Sequence, residues 1–271
     1  MRFIPFLFLL VVLAGCSNSI TKILKNPDAE YKLRMAEQYF VKKKYSKAQI
    51  LYEDVMAFYK TQAEFEDIYY KYAYCAYHQG DYMSAENLFK SYLEIFPNSP
   101  KSEEVDYMRA YSFYKQSPKP ALDQTNTRKA IGMMQIFINT HPGSPRNKEA
   151  SEIIDLCRAK LEVKDYNAAK LYYDMGQYRA AGVAFTSLLT DFPESMKADE
   201  YKLMIIRSYY RFAELSIDER QVERFEQVID EVEDFVDRFP ESKLRKDAES
   251  FQNLSQTQIK KISDEQVKTP A

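Results

Sequence analysis

Apolar residues recur every three or four positions in the stretch from 79 to 100. Within it, Tyr82, Ala85 and Phe89 have the spacing that places side chains on one face of an α-helix. A glycine two residues before this run is typical of the turn that ends a preceding helix. Pro97 ends the run itself, because proline cannot continue a helix. The pattern predicts a turn, an amphipathic helix and a stop.

The same pattern returns along the chain with a fixed period. Residues of similar type stand 37 positions apart in the sets Ala36, Ala73 and Ala110; Tyr45 and Tyr82; Ala48 and Ala85; and Tyr52 and Phe89. A helix-turn-helix unit repeated at such a period is typical of a solenoid. The pattern Tyr-x-x-Ala-x-x-x-Phe…Pro at 82–97, and again at 178–193, resembles the tetratricopeptide repeat. There the small residue lets two helices approach closely and the aromatic residue fills the space between repeats.

The predicted fold is therefore all-α: a right-handed solenoid of about five tetratricopeptide-like repeats with a C-terminal capping helix. A polar tail at 263–271 is predicted to be disordered. One helix, at 146–175, is predicted to be unusually long, and a proline-containing insertion at 117–126 interrupts the third repeat. The repeats are predicted near residues 28–60, 63–97, 101–142, 146–193 and 196–240, and the cap near 243–262.

The first 15 residues have the pattern of a secretory signal. Arg2 precedes an apolar run at 3–14 that is too short to span a bilayer as a helix. The run closes with the letters LAGC at 13–16, which resemble a bacterial lipoprotein signal that is cut before a lipidated cysteine. This resemblance implies that residues 1–15 are removed and that Cys16 carries the lipid. The alternative is an ordinary signal peptide with an incidental cysteine.

The residues after Cys16 indicate the destination. Residues 16–27 are predicted to form a short lipidated tether. Position 17 is Ser rather than the Asp that retains many lipoproteins at the inner membrane, so the resemblance implies an outer-membrane location facing the periplasm. Several buried acyl chains anchor a protein stably without a transmembrane helix.

Composition and spacing exclude several classes of function. Basic and acidic residues nearly cancel, with a formal net charge of -2, so no basic face for nucleic acid is expected. The three cysteines and two histidines lack the spacing of a metal site, and no phosphate loop or nucleophile motif is present. We therefore expect no enzyme, no catalytic residue, no metal and no cofactor. Cys75 and Cys157 are predicted to be small buried residues, in repeats that should not touch.

A stripe of tyrosines is the strongest candidate for a binding site. Carried through the first helix of each repeat, the 37-residue period places on one face Leu33, Phe40, Tyr70, Tyr74, Tyr77, Tyr107, Tyr111 and Tyr114. In tetratricopeptide arrays these positions line the concave groove. A tyrosine-lined groove packs on an extended peptide and hydrogen-bonds its backbone. The alternative is that these rings only pack between repeats.

The signal sequence, the five-repeat layout, the repeated Phe-Pro-x-Ser stops and the insertion containing LDQT at 122–125 together resemble the BamD (ComL-like) family of outer-membrane assembly lipoproteins. The resemblance covers nearly the whole mature chain. It implies that the N-terminal repeats recognise unfolded β-barrel precursors. It also implies that the C-terminal repeats dock on the barrel-forming subunit, alongside other assembly lipoproteins. The candidate docking residues are Lys197, Arg207 and Arg211.

Two other functions fit the same architecture. A tetratricopeptide-repeat lipoprotein could scaffold a different cell-envelope complex, for secretion, motility or attachment to peptidoglycan. A nutrient-capture lipoprotein is the third possibility, but such proteins are usually much larger and carry long ligand loops. The identity of the co-purifying partner discriminates between a barrel-assembly factor and a scaffold for another envelope complex.

Overall fold

The computed structural model describes residues 17–268, and this part of the chain is built from α-helices joined by turns and short loops. The all-α prediction is confirmed. The helices are α1 (Ser17–Leu24), α2 (Ala29–Val41), α3 (Tyr45–Tyr59), α4 (Phe65–His78), α5 (Tyr82–Ile95), α6 (Ser102–Gln116), α7 (Thr125–Thr140), α8 (Asn147–Asp174), α9 (Tyr178–Asp191), α10 (Ala198–Glu214), α11 (Asp218–Arg238) and α12 (Arg245–Lys268).

Turn chemistry sets the ends of these helices. Gly80 and Gly176 have φ of 80° and 74° in the turns before α5 and α9, a conformation that costs glycine little. Lys43 has the equivalent place before α3, with φ of 55°. Asp81 caps α5 by accepting a hydrogen bond from the backbone N–H of Ser84 at 3.1 Å. The helix-turn-helix units therefore follow from local sequence.

The chain divides into two compact units, which meet in sequence between Arg158 and Ala159. In the first unit, consecutive helices from α2 to α7 pack pairwise. The alanines of the 37-residue period, Ala36, Ala73 and Ala110, are completely buried, as are the aromatic residues Tyr52 and Phe89. Their burial is what the sequence predicts for positions where helices approach closely.

The second unit is organised around α10, which packs against α9, α11 and α12. Its core contains Phe185 and Leu188 of α9 and Phe225 and Phe235 of α11. Lys202 is also buried, and its ammonium forms an ion pair with Glu231 at 2.5 Å and a second with Asp234. The two carboxylates compensate the desolvation of this lysine.

The long helix α8 contributes to both units. Its first half buries Ala150, Ile153 and Cys157 in the first unit, and its second half buries Ala169 in the second. Ala169 follows Glu162 by seven residues, as Ala73 follows Glu66. The length of α8 is thus explained by two successive packing segments on one continuous helix.

Two boundaries differ from the sequence-based expectation. Residues 17–24 are helical instead of forming a tether, because Ile23 is buried against the first repeat and Ile20 and Leu24 pack beside it. The last helix continues to Lys268, beyond the predicted start of the disordered tail at Ser263, because no glycine or proline interrupts it. The predicted signal peptide and Cys16 lie outside the described residues.

Candidate functional site

Six predicted groove residues come together on α4 and α6. We call Tyr70, Tyr74, Tyr77, Tyr107, Tyr111 and Tyr114 the tyrosine ladder. On α4 the ring centroids of Tyr70 and Tyr74 are 4.7 Å apart, and those of Tyr74 and Tyr77 are 6.3 Å apart. On α6 the corresponding distances are 5.7 Å and 5.6 Å. Tyr77 and Tyr111 join the two helices at 6.4 Å, so the ladder is continuous.

The members of the ladder differ in burial. Tyr107 is 2% exposed, and among the described residues no hydrogen-bond partner reaches its buried hydroxyl. Burial and the nearby Glu149 raise the pKa of this phenol. The other five rings are half-buried and keep an accessible edge. Tyr74 donates a hydrogen bond to Glu104 Oε1 at 2.7 Å, which fixes its ring. The accessible part of the ladder is therefore five rings.

Leu33 and Phe40 do not join this ladder. Both pack with the buried residues of the first repeat, a cluster separate from the one that contains the ladder. Phe40 lies edge-on to Tyr45 and Tyr52, with centroid distances of 5.6 Å and 6.3 Å. The sequence predicted all eight residues on one stripe, and the structure brings six of them into one continuous series of neighbouring rings.

Charged residues run alongside the ladder. Lys71 pairs with Glu37 of α2 and with Asp67, both at 2.6 Å, and Lys101 pairs with Asp67 at 2.9 Å. The ammonium of Lys101 also lies 4.4 Å from the centre of the Tyr70 ring. The sequence contains a signal for these acidic residues, because Asp67 and Glu104 are one 37-residue period apart and so occupy equivalent positions on α4 and α6.

The chain has four Pro-x-Ser stops, three preceded by Phe and one by His141. The serine of each stop makes the same two contacts, an arrangement we call the stop-serine clasp. Its hydroxyl donates to a carboxylate of the preceding first helix and accepts the backbone N–H two residues further on. The four serine–carboxylate pairs are Ser99 with Glu66, Ser144 with Glu103, Ser195 with Glu162, and Ser242 with Asp199.

The clasp closes the open end of each helical hairpin and ties it to the next helix. Hydrogen bonds from Ser99 and Tyr92 lower the pKa of Glu66, so this carboxylate is held in its charged form. In the fourth hairpin, Tyr201 joins Ser195 on the same oxygen of Glu162, at 2.7 Å. The sequence showed the stops but not their partners, because the partners lie 33 to 43 residues away.

The three candidate docking residues all belong to α10 or its N-cap. Lys197 is exposed at the N-cap. Arg207 lies 4.0 Å from Asp247, and Arg211 pairs with Glu214 at 2.6 Å. Fourteen residues of helix separate Lys197 from Arg211, which is about 21 Å along the axis. Arg207 and Arg211 are one turn apart, and Lys197 lies at the opposite end of the helix.

Further arginines near the end of α10 were missed from sequence. Arg179, Arg220 and Arg224 line an open cavity of about 480 Å³ together with Phe212 and Glu223. The guanidinium of Arg224 lies 4.0 Å from the centre of the Phe212 ring. These residues come from α9 and α11, so only the folded packing reveals the cluster.

The histidines and inner cysteines occupy ordinary structural positions. His78 stacks on Tyr45 with centroids 4.4 Å apart, and His141 Nε2 lies 3.3 Å from Asp106. Cys75 and Cys157 are both buried, in different core clusters. Burial raises the pKa of the Cys75 thiol to about 12. Within residues 17–268, no group of three or more His, Cys, Asp or Glu side chains is arranged for a metal ion.

Searches of known proteins find relatives among bacterial assembly factors. A protein of Aquifex aeolicus, assigned as an outer membrane protein assembly factor BamD, is 26% identical over 194 residues, which cover 71% of this chain and 61% of the relative. BamD of Caulobacter vibrioides, also named an outer membrane protein assembly factor, is 20% identical over 136 residues, 50% of this chain and 45% of the relative. The chain thus matches less than two thirds of the length of either relative.

Solved structures of tetratricopeptide proteins are also similar. A TPR repeats protein of Bacteroides fragilis has a TM-score of 0.40 and 13% identity, covering 86% of this chain and 100% of its own. The TPR2AB domain of yeast Sti1, in a complex with pHSP90, has a TM-score of 0.38 and 11% identity, with coverage of 84% and 98%.

The described part of the chain contains no helix with the length and apolar character needed to cross a bilayer.

The family assignment comes from the sequence of the repeats themselves. A family model described as YfiO, outer membrane lipoprotein, matches residues 28–213, well over half of the chain. This chain belongs to the YfiO family of outer membrane lipoproteins.

Proposed function

We propose that this protein is a non-enzymatic lipoprotein component of the machinery that assembles β-barrel proteins in the outer membrane. The observation that carries the proposal is the family match across residues 28–213, together with two curated relatives named as assembly factors. The relatives are matched over only part of their length, so the proposed activity and partners rest on this chain's own residues.

The tyrosine ladder is the proposed binding site for unfolded barrel precursors. An extended precursor exposes backbone N–H and C=O groups that must be satisfied before the barrel forms. The five half-buried rings offer flat apolar faces for its side chains, and the hydroxyls of Tyr77 and Tyr114 offer hydrogen bonds to its backbone. The Tyr74 hydroxyl is already bonded to Glu104. Leu33 and Phe40 have a supporting role in the first repeat and are not proposed to touch the precursor.

The far end of the chain is the proposed dock for the barrel-forming subunit and for other assembly lipoproteins. Lys197 is exposed, and Arg207 and Arg211 keep part of their side chains accessible beside Asp247 and Glu214. The arginine cluster at 179, 220 and 224 adds further basic groups. Leu215 and Ile217, each about two thirds exposed in the adjacent turn, add apolar area. A partner surface that is acidic with an apolar centre fits this combination.

The proposed location is the periplasmic face of the outer membrane, with Cys16 lipidated. Several acyl chains on one residue bind a membrane stably, since each buried methylene contributes about 0.8 kcal/mol. Intact-mass measurement of the purified protein tests this directly. An unmodified Cys16 would contradict the anchor.

The first test of the function is isolation of the protein from outer membranes in mild detergent, with mass spectrometry of its partners. We expect a barrel protein with periplasmic domains as the main partner. Recovery of secretion, motility or peptidoglycan-linked subunits instead would overturn the assembly function and favour the scaffolding alternative.

The second test addresses the ladder. We expect the double variant Tyr77→Ala and Tyr114→Ala to bind an unfolded barrel-precursor peptide about tenfold more weakly, because two aromatic contacts of about 0.5 to 1.5 kcal/mol each are lost. Fluorescence anisotropy with a labelled peptide measures the affinity. Tyr172→Ala, an exposed tyrosine of the second unit, is the matched control. Equal affinities for the double variant and the control would rule the ladder out as the site.

A further inference from the structure

The turn between α2 and α3 carries an unusual concentration of positive charge. Lys42, Lys43 and Lys44 are consecutive and exposed, and Lys47 follows one helical turn later. We call these four residues the lysine turn. We propose that the lysine turn binds anionic lipid headgroups and so makes a second membrane contact beside the lipid anchor. This inference rests on the proposed anchoring through Cys16.

Among the described residues, the only side-chain contact of the lysine turn with a polar or aromatic group is that of Lys47, whose ammonium lies 5.7 Å from the centre of the Tyr39 ring. No carboxylate in the described part of the chain forms an ion pair with any of the four lysines. Other lysines of the same unit do pair, as Lys71 does with Glu37 and Lys101 with Asp67. Burial, and to a lesser extent the charge of Lys43, lower the pKa of His78 beside the turn.

The backbone presents these lysines outward. Lys43 adopts φ of 55°, where Gly80 and Gly176 stand in the equivalent turns of other repeats. Lysine is not favoured in this conformation, so the charge at this position is kept at a steric cost. The turn borders an open concavity of about 450 Å³ lined by Lys43, Lys44, Lys47, Tyr45 and His78. Its size and charge suit a phosphate-bearing headgroup.

The lysine turn belongs to the same repeat as the helix that follows the anchor. Cys16 directly precedes α1, and α1 packs on α2 and α3 through Ile23. The turn lies at the end of α2, a helix of 13 residues and therefore about 20 Å long. The helix that follows Cys16 and the lysine turn are thus parts of one packed body, and stable membrane anchoring uses two such signals.

Charge distribution along the chain favours a membrane over an acidic protein as the occupant. Residues 17–47 contain eight basic and three acidic residues, whereas residues 48–271 contain 29 basic and 37 acidic ones. Positive charge is therefore concentrated next to the proposed lipid anchor. Each lysine near an anionic surface raises partitioning by roughly fivefold, and the effect fades within a Debye length.

Flotation with vesicles tests the inference without the acyl chains. The mature full chain carrying Cys16→Ser is mixed with vesicles of phosphatidylcholine, with or without phosphatidylglycerol. We expect flotation only with phosphatidylglycerol, and its loss at high salt. A variant with Lys42→Gln, Lys43→Gly, Lys44→Gln and Lys47→Gln should lose roughly a hundredfold or more of its partitioning.

The matched control removes the same charge elsewhere in the first unit. Its substitutions are Lys119→Gln, Arg128→Gln, Lys129→Gln and Lys148→Gln, all at exposed positions. An equal loss in the control, or no flotation of the parent chain, would overturn the inference. So would tight, lysine-turn-dependent binding of a polyglutamate peptide in place of the vesicles, which would identify an acidic protein as the occupant.

The outcomes remain separable from those of the proposed function. A failure of flotation leaves the partners recovered from outer membranes unchanged. An unlipidated Cys16 would remove the anchor while leaving the flotation result as it is.

Discussion

Lys43, Gly80 and Gly176 occupy equivalent turn positions, and all three have positive φ. Only lysine carries a Cβ there, and a left-handed conformation costs a residue with a Cβ roughly 1 to 2 kcal/mol. Glycine loses roughly 0.5 to 1 kcal/mol through the greater freedom of the unfolded chain. The difference between these two terms decides how a substitution at position 43 changes the free energy of unfolding.

We expect Lys43→Gly to raise the free energy of unfolding by up to about 1 kcal/mol. Urea denaturation followed by circular dichroism measures the change. Gly80→Ala is the matched reverse substitution and should lower the stability, since alanine must adopt φ near 80°. A loss of stability in Lys43→Gly would show that the lysine side chain contributes more than the strain costs.

The positions of the ladder tyrosines could be predicted from sequence, but their burial could not. The 37-residue period identified all six tyrosines, because equivalent positions on successive helices share a face. It did not predict that Tyr107 is buried while its neighbours keep an exposed edge. That difference depends on Arg146, whose guanidinium lies 4.7 Å from the centre of the Tyr107 ring, and on Phe137 of α7. Neither contact could be predicted from the residues next to Tyr107 in the sequence.

At the scale of an element, α9 approaches α10 so closely that only glycine fits at position 182 without displacing a side chain of α10. A Cβ on Gly182 would lie 2.6 Å from Cε1 of Tyr209, which is well inside contact distance. Gly132 on α7 has no atom within 4 Å of the corresponding point. Both glycines are in helix interiors, so alanine changes the helix propensity similarly at each. Any difference between the two substitutions therefore reports the packing around the added methyl group.

We expect Gly182→Ala to lower the free energy of unfolding by about 1 to 3 kcal/mol, because the Tyr209 ring must be displaced. Gly132→Ala should raise it by about 0.5 to 1 kcal/mol through better helix propensity. Thermal and urea denaturation of both variants give the comparison. Equal effects of the two substitutions would mean that Tyr209 moves aside without cost.

Helix ends set by glycine or proline have a local sequence signal, whereas α1 was not predicted. The turns at Gly80 and Gly176 and the stop at Pro97 fix helix ends through local backbone restrictions. Helix α1 has eight residues, too few for a stable isolated helix, and forms because Ile23 packs on the first repeat. The stop-serine clasps likewise depend on partners distant in sequence.

At the scale of the whole molecule, tyrosine and cysteine side chains with raised pKa values make the free energy of unfolding depend on pH in the alkaline range. Burial raises the pKa of Cys75 and of Tyr77 to about 12, from ordinary values of 9.0 and 10.0. The phenols of Tyr52, Tyr74 and Tyr92 are also shifted upward by burial. Above the ordinary values, the unfolded chain loses protons that the folded chain keeps. Stability is therefore complete below pH 9 and falls as the pH rises towards 12.

We expect the urea midpoint to fall steadily as the pH rises above about 9. Tyr77→Phe should make this fall shallower, because one shifted phenol is removed. Tyr172→Phe, at an exposed tyrosine, should leave the slope unchanged. A midpoint that is constant with pH, or identical slopes in the two variants, would contradict the linkage.

The stop-serine clasps have a consequence for how such chains accommodate change in length. The serine and its carboxylate are 33 residues apart in two hairpins and 41 and 43 apart in the others, yet the contacts are the same. Extra residues, such as the loop between α6 and α7, are held between two ends whose junction stays fixed. Insertions at the tip of a hairpin are therefore tolerated in evolution, because the clasped end keeps its geometry and the neighbouring helices keep their packing.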